Sequence, residues 1–342
     1  MRVLVTGTAG FIGFHVARQL IAAGHDVVGV DGLTPYYDVK LKQRRHGILL
    51  QSPNFSAREL MLEDAPALAR VYQEHHPEVV IHLAAQAGVR YSLENPRAYI
   101  DANVVGTFNL LDLMRVSAPQ HFLIASTSSV YGANTKMPFA ESDHTDHPLT
   151  LYAATKKATE AMAHCYAHLW NLPTTVVRFF SAYGPWGRPD MALFKFTKAI
   201  LEGAPIDVYN HGEMDRDFTY VDDIARSIVL LVDAVPIKPV LPEMTDEDLG
   251  KDEDLGLSPA APYRVVNIGN GQPVRLLTFI EAIEKSVGKP AARNYLPMQP
   301  GDVPATYADT TLLERLTGFR PSTPVSRGVA EFVAWYRDYY GI

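Results

Sequence analysis

The stretch TGTAGFIG, residues 6–13, decides the fold. An apolar strand pattern precedes it and a helical apolar pattern follows it, so its glycines stand at a strand–helix junction. Gly7 permits a tight turn, Gly10 lets the backbone approach a pyrophosphate, and Gly13 lets the helix pack close to the strand. Because the helix N-terminus then faces the anion, the stretch predicts a dinucleotide-binding turn.

Short apolar runs alternate with helical patterns through the first half of the chain, as they do in βαβ units. The runs Val79–Ile81 and Phe122–Ile124 are apolar on both faces, which is typical of strands that helices cover on both sides. The sequence therefore predicts an α/β fold with a doubly wound parallel sheet of the Rossmann type and a smaller C-terminal substrate-binding domain. The expected strands span residues 2–6, 26–31, 79–83, 121–126, 174–179 and 264–268, and the expected helices span residues 11–23, 96–116 and 152–170.

The order of the patterns loosens in the C-terminal half, where glycine, proline and aromatic residues are frequent. We predict a dinucleotide-binding domain over residues 1–180 and a mainly substrate-binding domain over residues 181–342. Segments of about residues 215–235 and 263–270 are expected to return to the first domain. Residues 236–262 are rich in proline and acidic side chains, which predicts an exposed loop.

Composition excludes several classes of protein. With 31 Lys and Arg against 38 Asp and Glu, the net charge is −7, so neither nucleic acid nor a membrane surface is predicted as a partner. The sequence shows no signal-peptide pattern and no long apolar run, which predicts a cytoplasmic protein. The single cysteine, Cys165, fits a reducing compartment and is expected to be buried in a helix. The pairs His75/His76 and His144/His147 lack ligand partners, and no metal site is predicted.

Asp31 ends the second predicted strand, at the place where an acidic residue selects the cofactor. Its carboxylate can accept hydrogen bonds from the adenosine ribose hydroxyls, and its charge repels a 2′-phosphate. Gly32 and Leu33 follow it and supply no arginine. The predicted cofactor is therefore NAD rather than NADP.

Tyr152 and Lys156 lie four residues apart at the start of a predicted helix, so both side chains project from one face. An ammonium group near a phenol lowers the pKa of the phenol and makes it a usable base. Thr127 follows a predicted strand and can donate a hydrogen bond to the reacting oxygen. Neither Ser128 nor Ser129 is acidic, so no second general acid stands beside it. Together these residues predict hydride chemistry on an alcohol.

Taken together, these motifs resemble the extended short-chain dehydrogenase/reductase family, and within it the UDP-glucuronic acid 4-epimerases. Nearly the whole chain takes part in the resemblance. The supporting stretches, besides TGTAGFIG and Asp31, are LAAQAGVRYSLENP (83–96), STSSVYG (126–132), YAATK (152–156), RFFSAYGPWGRPDMA (178–192), RDFTYVDD (216–223) and MQPGDVPATYAD (298–309).

The resemblance implies an NAD-dependent 4-epimerisation of UDP-glucuronic acid to UDP-galacturonic acid. In the family, a tyrosine removes the proton of the sugar 4-hydroxyl while the C4 hydride passes to NAD, and the 4-keto sugar takes the hydride back on its opposite face. The catalytic residues here would be Tyr152, Lys156 and Thr127. The implied cofactor contacts are Gly7, Gly10, Phe11, Ile12, Gly13, Asp31, Glu59, Leu60, Ala84, Ala85, Asn103, Tyr152 and Lys156.

For the substrate, the fork of Arg216 suits the diphosphate, while Arg188 is either a solvated cation or a contact of the sugar carboxylate. Galactose epimerases usually carry an asparagine near Ser181 and an arginine near Gln299, so both departures favour another sugar. The implied substrate contacts are Arg90, Thr127, Ser128, Ser129, Ser181, Arg188, Arg216, Gln299 and Asp302.

Four alternatives stay open at this point. A UDP-glucuronate decarboxylase usually carries Glu near Ser129, and a 4,6-dehydratase carries Asp-Glu after the threonine, so this sequence disfavours both. The others are a UDP-glucose/UDP-galactose 4-epimerase and a nucleotide-sugar-binding protein without turnover. Helices 96–116 and 152–170 have broad apolar faces and are expected to form the bundle of a homodimer, as in related enzymes.

Overall fold

The computed structural model describes residues 1–238, 256–299 and 301–342. Its main sheet has seven strands, all paired in parallel, and confirms the predicted doubly wound α/β fold. The strands of the described residues are β1 (Arg2–Thr6), β2 (Asp26–Asp31), β3 (Phe55–Glu59), β4 (Val79–His82), β5 (His121–Thr127), β6 (Thr174–Phe179), β7 (Ser181–Tyr183), β8 (Ile206–Tyr209), β9 (Asp215–Arg216), β10 (Phe218–Tyr220), β11 (Tyr263–Ile268), β12 (Val274–Arg275), β13 (Arg293–Leu296) and β14 (Ala305–Thr306).

The helices cover both faces of this sheet and fill the C-terminal part. In chain order they are α1 (Phe11–Ala22), α2 (Val39–Leu49), α3 (Ala65–His75), α4 (Tyr91–Glu94), α5 (Pro96–Tyr99), α6 (Gly106–Val116), α7 (Leu151–Trp170), α8 (Ala192–Glu202), α9 (Val221–Leu231), α10 (Leu276–Val287), α11 (Thr311–Thr317) and α12 (Val325–Tyr340).

The strand order of the main sheet is β3-β2-β1-β4-β5-β6-β11. The chain therefore builds outward from β1 in one direction and from β4 in the other. This reversal leaves a crevice beyond the carboxyl ends of β1 and β4, which is where doubly wound sheets bind ligands.

Alternation along the strands explains the two layers of helices. Val3 and Val5 face a core made with α1, α9 and α11, whereas Leu4 between them faces a core made with α3, α6 and α7. Helix α7 begins where the hydroxyl of Thr150 accepts the N–H of Ala153, which orients the helix over the sheet.

Smaller sheets follow the main sheet, in the orders β10-β7, β12-β9-β14 and β13-β8. Helices α8, α10 and α12 pack on these strands around a separate apolar cluster that includes Phe194, Phe279 and Phe332. The domain division at residues 180 and 181 stays a prediction.

Local sequence patterns missed some elements and misplaced others. Strand β3 and helix α2 carry too few apolar residues for a clear period, and the expected helix 96–116 is interrupted by a π-helical turn, Ile100–Val105. The prediction that Cys165 is buried is wrong, because this side chain is exposed on α7. Within the predicted loop 236–262, residues 239–255 lie outside the described residues.

Candidate active site

A cavity of about 1000 Å³ opens beyond the carboxyl ends of β1, β4 and β5. A second cavity of about 220 Å³ adjoins it, since Phe11, Arg90, Arg188 and Asp302 line both. The first cavity lies at the upper end of the size range of small-molecule sites. Together the two cavities offer room for two ligands side by side.

The glycine-rich turn closes one end of the large cavity. Gly7 adopts a left-handed φ of +83° and donates its N–H to Val30 O at 2.6 Å. A Cβ on Gly13 would lie 2.0 Å from Gly7 O, so the helix can approach the turn only because residue 13 has no side chain. Helix α1 begins at Phe11, and its free N–H groups form an anion site without any charged side chain.

Asp31 lies beside this turn and already has two partners. Its carboxylate accepts the N–H of Ala9 at 3.0 Å and that of Leu33 at 2.9 Å. A carboxylate has further lone pairs for ligand hydroxyls. Asp31 therefore both shapes the turn and presents acceptors to the cavity.

Two cations near this end of the cavity were missed by sequence reasoning. Lys42 lines the cavity and donates to Thr34 O at 2.6 Å. Arg45 is fully buried and donates to Ala9 O and to Trp186 O, both at 2.6 Å, which ties the glycine-rich turn to a distant loop. Both cations lie on α2, whose weak apolar period gave no signal of a buried role.

The segment after β4 forms the floor of the cavity and is held by polar side chains beneath it. Ala84 donates its N–H to the hydroxyl of Thr6 at 3.1 Å. Asn103, inside the π-helical turn, accepts the N–H of Gln86 at 2.7 Å and donates to the hydroxyl of Thr155 at 3.0 Å. Asn103 thus supports the cavity floor from the side away from the cavity. π-Helical turns are frequently found at functional sites.

His82 lies under the same floor and is completely buried. Its imidazole contacts the hydroxyl of Thr6 at 2.7 Å and that of Thr107 at 2.9 Å. Burial, together with the charge of Lys156, lowers the pKa of His82 to about 3. The ring is therefore neutral at physiological pH.

Tyr152 and Lys156 both reach the cavity from the first turns of α7, opposite Thr127 at the end of β5. Burial raises the pKa of Tyr152, while the hydrogen bond with Thr127 and the positive charge of Arg188 lower it. The sequence analysis predicted that the ammonium group of Lys156 would lower the pKa of Tyr152, whereas Thr127 and Arg188 have that effect in the structure. Burial lowers the pKa of Lys156 itself to about 8, against the charge of Glu160.

A buried ion pair supports the two elements that carry these side chains. Glu160, one turn beyond Lys156, accepts from Arg178 at 3.0 and 2.9 Å and from the hydroxyl of Ser126 at 2.6 Å. Arg178 lies on β6 and Ser126 on β5, so this network joins α7 to the sheet directly below Thr127. Replacing either Glu160 or Arg178 with a neutral residue would leave the other as an uncompensated buried charge.

Arg188, which also lines the cavity, forms a two-pronged contact with Asp190. The guanidinium Nε donates to Oδ1 at 3.0 Å and Nη2 donates to Oδ2 at 2.5 Å. The hydroxyl of Tyr36 donates to the same Oδ2 at 3.2 Å. Asp190 and Tyr36 line the cavity, although sequence reasoning named neither.

The small cavity brings together further predicted substrate residues. Ser181 and Arg216 line it, and Arg90 lies 3.6 Å from the carboxylate of Asp302. Arg216 donates to the carbonyls of Asp215 at 2.9 Å and Pro304 at 3.2 Å, and burial lowers its pKa. Arg216 and Arg90 are thus placed at one end of a continuous channel.

Most of the predicted site residues line one of the two cavities: Gly7, Gly10, Phe11, Ile12, Gly13, Asp31, Leu60, Ala84, Ala85, Arg90, Thr127, Tyr152, Lys156, Ser181, Arg188, Arg216 and Asp302. Glu59, Asn103, Ser128, Ser129 and Gln299 are not among the lining residues. Of these, Ser129 stays close, because Thr127 Oγ1 donates to its hydroxyl at 3.2 Å.

The described residues contain neither a metal-binding cluster nor a membrane-spanning helix. No group of three or more His, Cys, Asp or Glu side chains is arranged to hold a metal ion within residues 1–238, 256–299 and 301–342. In the same part of the chain, every helix is too short or too polar to span a membrane.

Comparisons with known proteins agree with this geometry. Residues 3–239 match the NAD dependent epimerase/dehydratase family. A probable UDP-glucuronate 4-epimerase of Rhizobium meliloti is 60% identical over 342 residues, covering 99% of this chain and 98% of that protein. UDP-glucuronate 4-epimerase 1 of Arabidopsis thaliana is 44% identical, covering 99% of this chain and 77% of that protein.

Solved structures give the same result. The UDP-glucuronic acid 4-epimerase of Bacillus cereus, in complex with UDP-glucuronic acid and NAD, matches with a TM-score of 0.86 and 30% identity over 99% of this chain and 100% of that one. A UDP-glucose 4-epimerase of Thermotoga maritima matches with a TM-score of 0.83 and 29% identity, over the same shares of the two chains. The chain belongs to the NAD dependent epimerase/dehydratase family of the extended short-chain dehydrogenases/reductases.

Proposed function

We propose that the protein is an NAD-dependent UDP-glucuronate 4-epimerase, which interconverts UDP-glucuronic acid and UDP-galacturonic acid through a transient 4-keto sugar. One observation carries this proposal: the acid–base pair Tyr152 and Thr127 shares a cavity with both a dinucleotide turn and the cation Arg188. The cavity thus combines a base for an alcohol, a site for the cofactor and a partner for a carboxylate.

The cavity suits NAD on grounds of shape and charge. A side chain at Gly13 would collide with the backbone of the turn, and one at Gly7 with the backbone of Leu83 and Ala84. The glycines thus let the N-terminus of α1 lie open to a pyrophosphate. Asp31 supplies acceptors for ribose hydroxyls and disfavours a 2′-phosphate. When bound, NAD supplies the acceptor and donor of the C4 hydride. Further residues proposed to hold it are Gly10, Phe11, Ile12, Glu59, Leu60, Ala84, Ala85, Asn103, Tyr152 and Lys156.

Tyr152 is proposed to take the proton of the 4-hydroxyl and to return it at the end of the cycle. Burial raises the pKa of Tyr152, and the hydrogen bond with Thr127 and the charge of Arg188 offset part of that rise. Thr127 holds the same sugar oxygen, which fixes the oxygen relative to the base. Lys156 is buried beside them and is proposed to hold the nicotinamide ribose.

The carboxylate of the sugar is proposed to bind Arg188 together with Ser128, Ser129 and Ser181. A 4-keto uronic acid is a β-keto acid and loses CO₂ when its C5–carboxylate bond stands perpendicular to the ketone. Donors that grip the carboxylate can hold that bond in the unreactive orientation, so the keto sugar turns without decarboxylation.

The diphosphate and uridine are proposed to occupy the small cavity. Arg216 retains N–H groups beyond those that it donates to backbone carbonyls, and a guanidinium matches phosphate oxygens. Arg90 and Asp302 adjoin it, the second as a contact of the uridine ribose. Gln299 lies three residues before Asp302, and its carbonyl accepts the N–H of Asp302 at 3.2 Å.

Incubation with UDP-glucuronate, followed by chromatography and NMR of the product, tests the proposal. UDP-galacturonate is the expected product, formed without added reductant. UDP-xylose would replace the proposal with decarboxylation, and turnover of UDP-glucose alone would replace it with a galactose epimerase. Stoichiometric bound NAD without any product would indicate a binding protein.

A homodimer in the cytoplasm is part of the same proposal. Apolar side chains on the helices 96–116 and 152–170 stay exposed in the single chain, among them Phe108 at 47% and Leu169 at 64%. Pairing these helices with those of a second copy would remove that apolar surface from water. Light scattering that detects only a monomer at working concentration would contradict it. The two-domain division at residue 180 is proposed alongside, with the cleft at the boundary.

A further inference from the structure

The loop that carries Arg188 is held at its backbone by two helices of the other side of the cavity. Pro185 O contacts His15 Nε2 on α1 at 3.0 Å, and Trp186 O accepts from Arg45 on α2 at 2.6 Å. Trp186 adopts a left-handed φ of +61°, which these contacts must stabilise. With the backbone fixed, the direction of the guanidinium of Arg188 depends on contacts of its side chain.

Asp190 provides those contacts. It accepts from Nε and Nη2, so one edge of the guanidinium fork is fully used by this carboxylate. Nη1 takes no part in the contact with Asp190, and Arg188 lines both cavities. The charge of Arg188 holds the pKa of Asp190 below its usual range despite burial, so Asp190 is an anion.

Tyr36 is the second side chain that contacts Asp190. Its hydroxyl donates to Oδ2 of Asp190, and its ring lies 5.9 Å from the guanidinium carbon of Arg188. Gly88 leaves room for this hydroxyl, since a Cβ there would lie 2.6 Å from it. Loops that follow β2, β4 and β7 therefore meet at one carboxylate.

We propose that Asp190, held by Tyr36, is a positioning residue that turns the free edge of Arg188 toward the C6 carboxylate of the sugar and so sets the preference for uronic acids. The inference rests on the proposed function. Asp190 also balances the charge of Arg188 in the cavity, where an unpaired cation would be costly. A neutral hydroxymethyl group gains little from Arg188, because it offers no charge to the free edge.

The test is calorimetric titration of the NAD-loaded protein with UDP-glucuronate and with UDP-glucose. Asp190→Asn keeps the shape but turns one acceptor into a donor that faces Arg188. We expect it to weaken binding of UDP-glucuronate about tenfold or more, the size of one charge-assisted hydrogen bond, and to leave UDP-glucose within about twofold. Tyr36→Phe is expected to act in the same direction with a smaller effect, and Asp190→Glu to restore part of the preference.

Asp207→Asn is the control for loss of negative charge alone. Asp207 lines the same cavities and its carboxylate accepts from Asn294 at 2.9 Å, away from Arg188. The ratio of the two affinities should stay within about twofold in this variant. Asp26 and Asp38 lie outside the cavities and serve the same purpose if Asp207→Asn does not fold.

Equal losses for both sugars in Asp190→Asn would overturn the inference, because a merely structural residue would affect both. Tighter binding of UDP-glucuronate would also overturn it, since Asp190 would then compete with the substrate. If Asp190→Asn does not fold, Tyr36→Phe provides the test. An unchanged ratio of its affinities for UDP-glucuronate and UDP-glucose would also overturn the inference. Absence of product from the wild-type protein would refute the proposed function instead, and the binding ratio would still test Asp190.

Discussion

The cofactor side of the cavity, formed by Gly7, Gly13 and Asp31, is built from one continuous strand–turn–helix unit and one neighbouring strand. The sugar side, formed by Tyr152 and Arg188 with their partners, is built from side chains that lie on separate elements of the fold. On the cofactor side the groups that face the ligand are mostly backbone N–H groups, so the constraint on sequence is the absence of side chains. On the sugar side each contact requires a particular side chain.

This difference separates what the two sides control. A change on the cofactor side alters the backbone turn, and with it cofactor binding and stability. A change on the sugar side leaves the turn intact and alters chemistry or choice of sugar. Substitutions on the two sides should therefore have separable effects on turnover, stability and cofactor binding.

Tyr152→Phe should lower kcat for UDP-glucuronate about a thousandfold, because general acid–base groups contribute on that scale. The NAD content, measured after denaturation, should not change, since the turn is untouched. Tyr166→Phe is the matched control on the same helix, where Tyr166 packs against Trp170 away from the cavity, and it should stay within about twofold. Turnover within tenfold of wild type in Tyr152→Phe would show that another group is the base.

Gly13→Ala should lower the free energy of unfolding by about 3 kcal/mol and NAD affinity at least tenfold, because the new Cβ would lie 2.0 Å from Gly7 O. Chemical denaturation and titration with NAD measure the two effects. Gly47→Ala on α2 is the control, since its Cβ meets nothing within 4 Å and alanine favours the helix. If Gly13→Ala binds NAD as well as Gly47→Ala does, the turn is not the cofactor site.

His82 lies below the cofactor side, and its titration should affect stability but not the choice of sugar. Its pKa in the folded protein is about 3, so between pH 6.5 and 3 only the unfolded state binds the proton. Stability therefore falls as pH falls, by roughly 2 kcal/mol from pH 6.5 to 5.

Denaturation at the two pH values, in wild type and His82→Gln, measures this contribution. The variant should lose less stability on acidification than the wild type, whereas His144→Gln, which removes an exposed histidine, should behave like the wild type. If wild type and His82→Gln lose the same free energy of unfolding on acidification, the assignment of a neutral, buried His82 ring is refuted.

Asp31→Asn should have the smallest effect, a loss of roughly 1 kcal/mol in NAD binding, because the amide keeps one acceptor oxygen while the charge and the second acceptor are lost. NADP should lose less than NAD, so the preference between the two cofactors narrows. Asp26→Asn, at the opposite end of β2, controls for the change in charge. Equal losses for NAD and NADP would show that Asp31 acts only through its bonds to Ala9 and Leu33.

Much of the cofactor side could be predicted from sequence because its determinants are local. The turn, the first helix and the following acidic residue lie within the first 31 residues, in one βαβ unit with fixed geometry. The pair Tyr152 and Lys156 could also be found, because a spacing of four residues places two side chains on one face of any helix. For the same reason the doubly wound sheet follows from the alternation of strand and helix patterns.

Only the tertiary structure decided which groups surround these residues. Tyr36 meets Asp190, and Arg45 reaches Trp186 O, because segments after different strands converge at one edge of the sheet. No local period reports such a convergence. The burial of His82 and the partners that shift the pKa of Tyr152 likewise depend on side chains far away in sequence. The sequence patterns alone predicted the parallel sheet, the glycine-rich turn and the shared helix face of Tyr152 and Lys156. The packing of distant loops decided the electrostatics of the site, because charge and burial depend on distance in space.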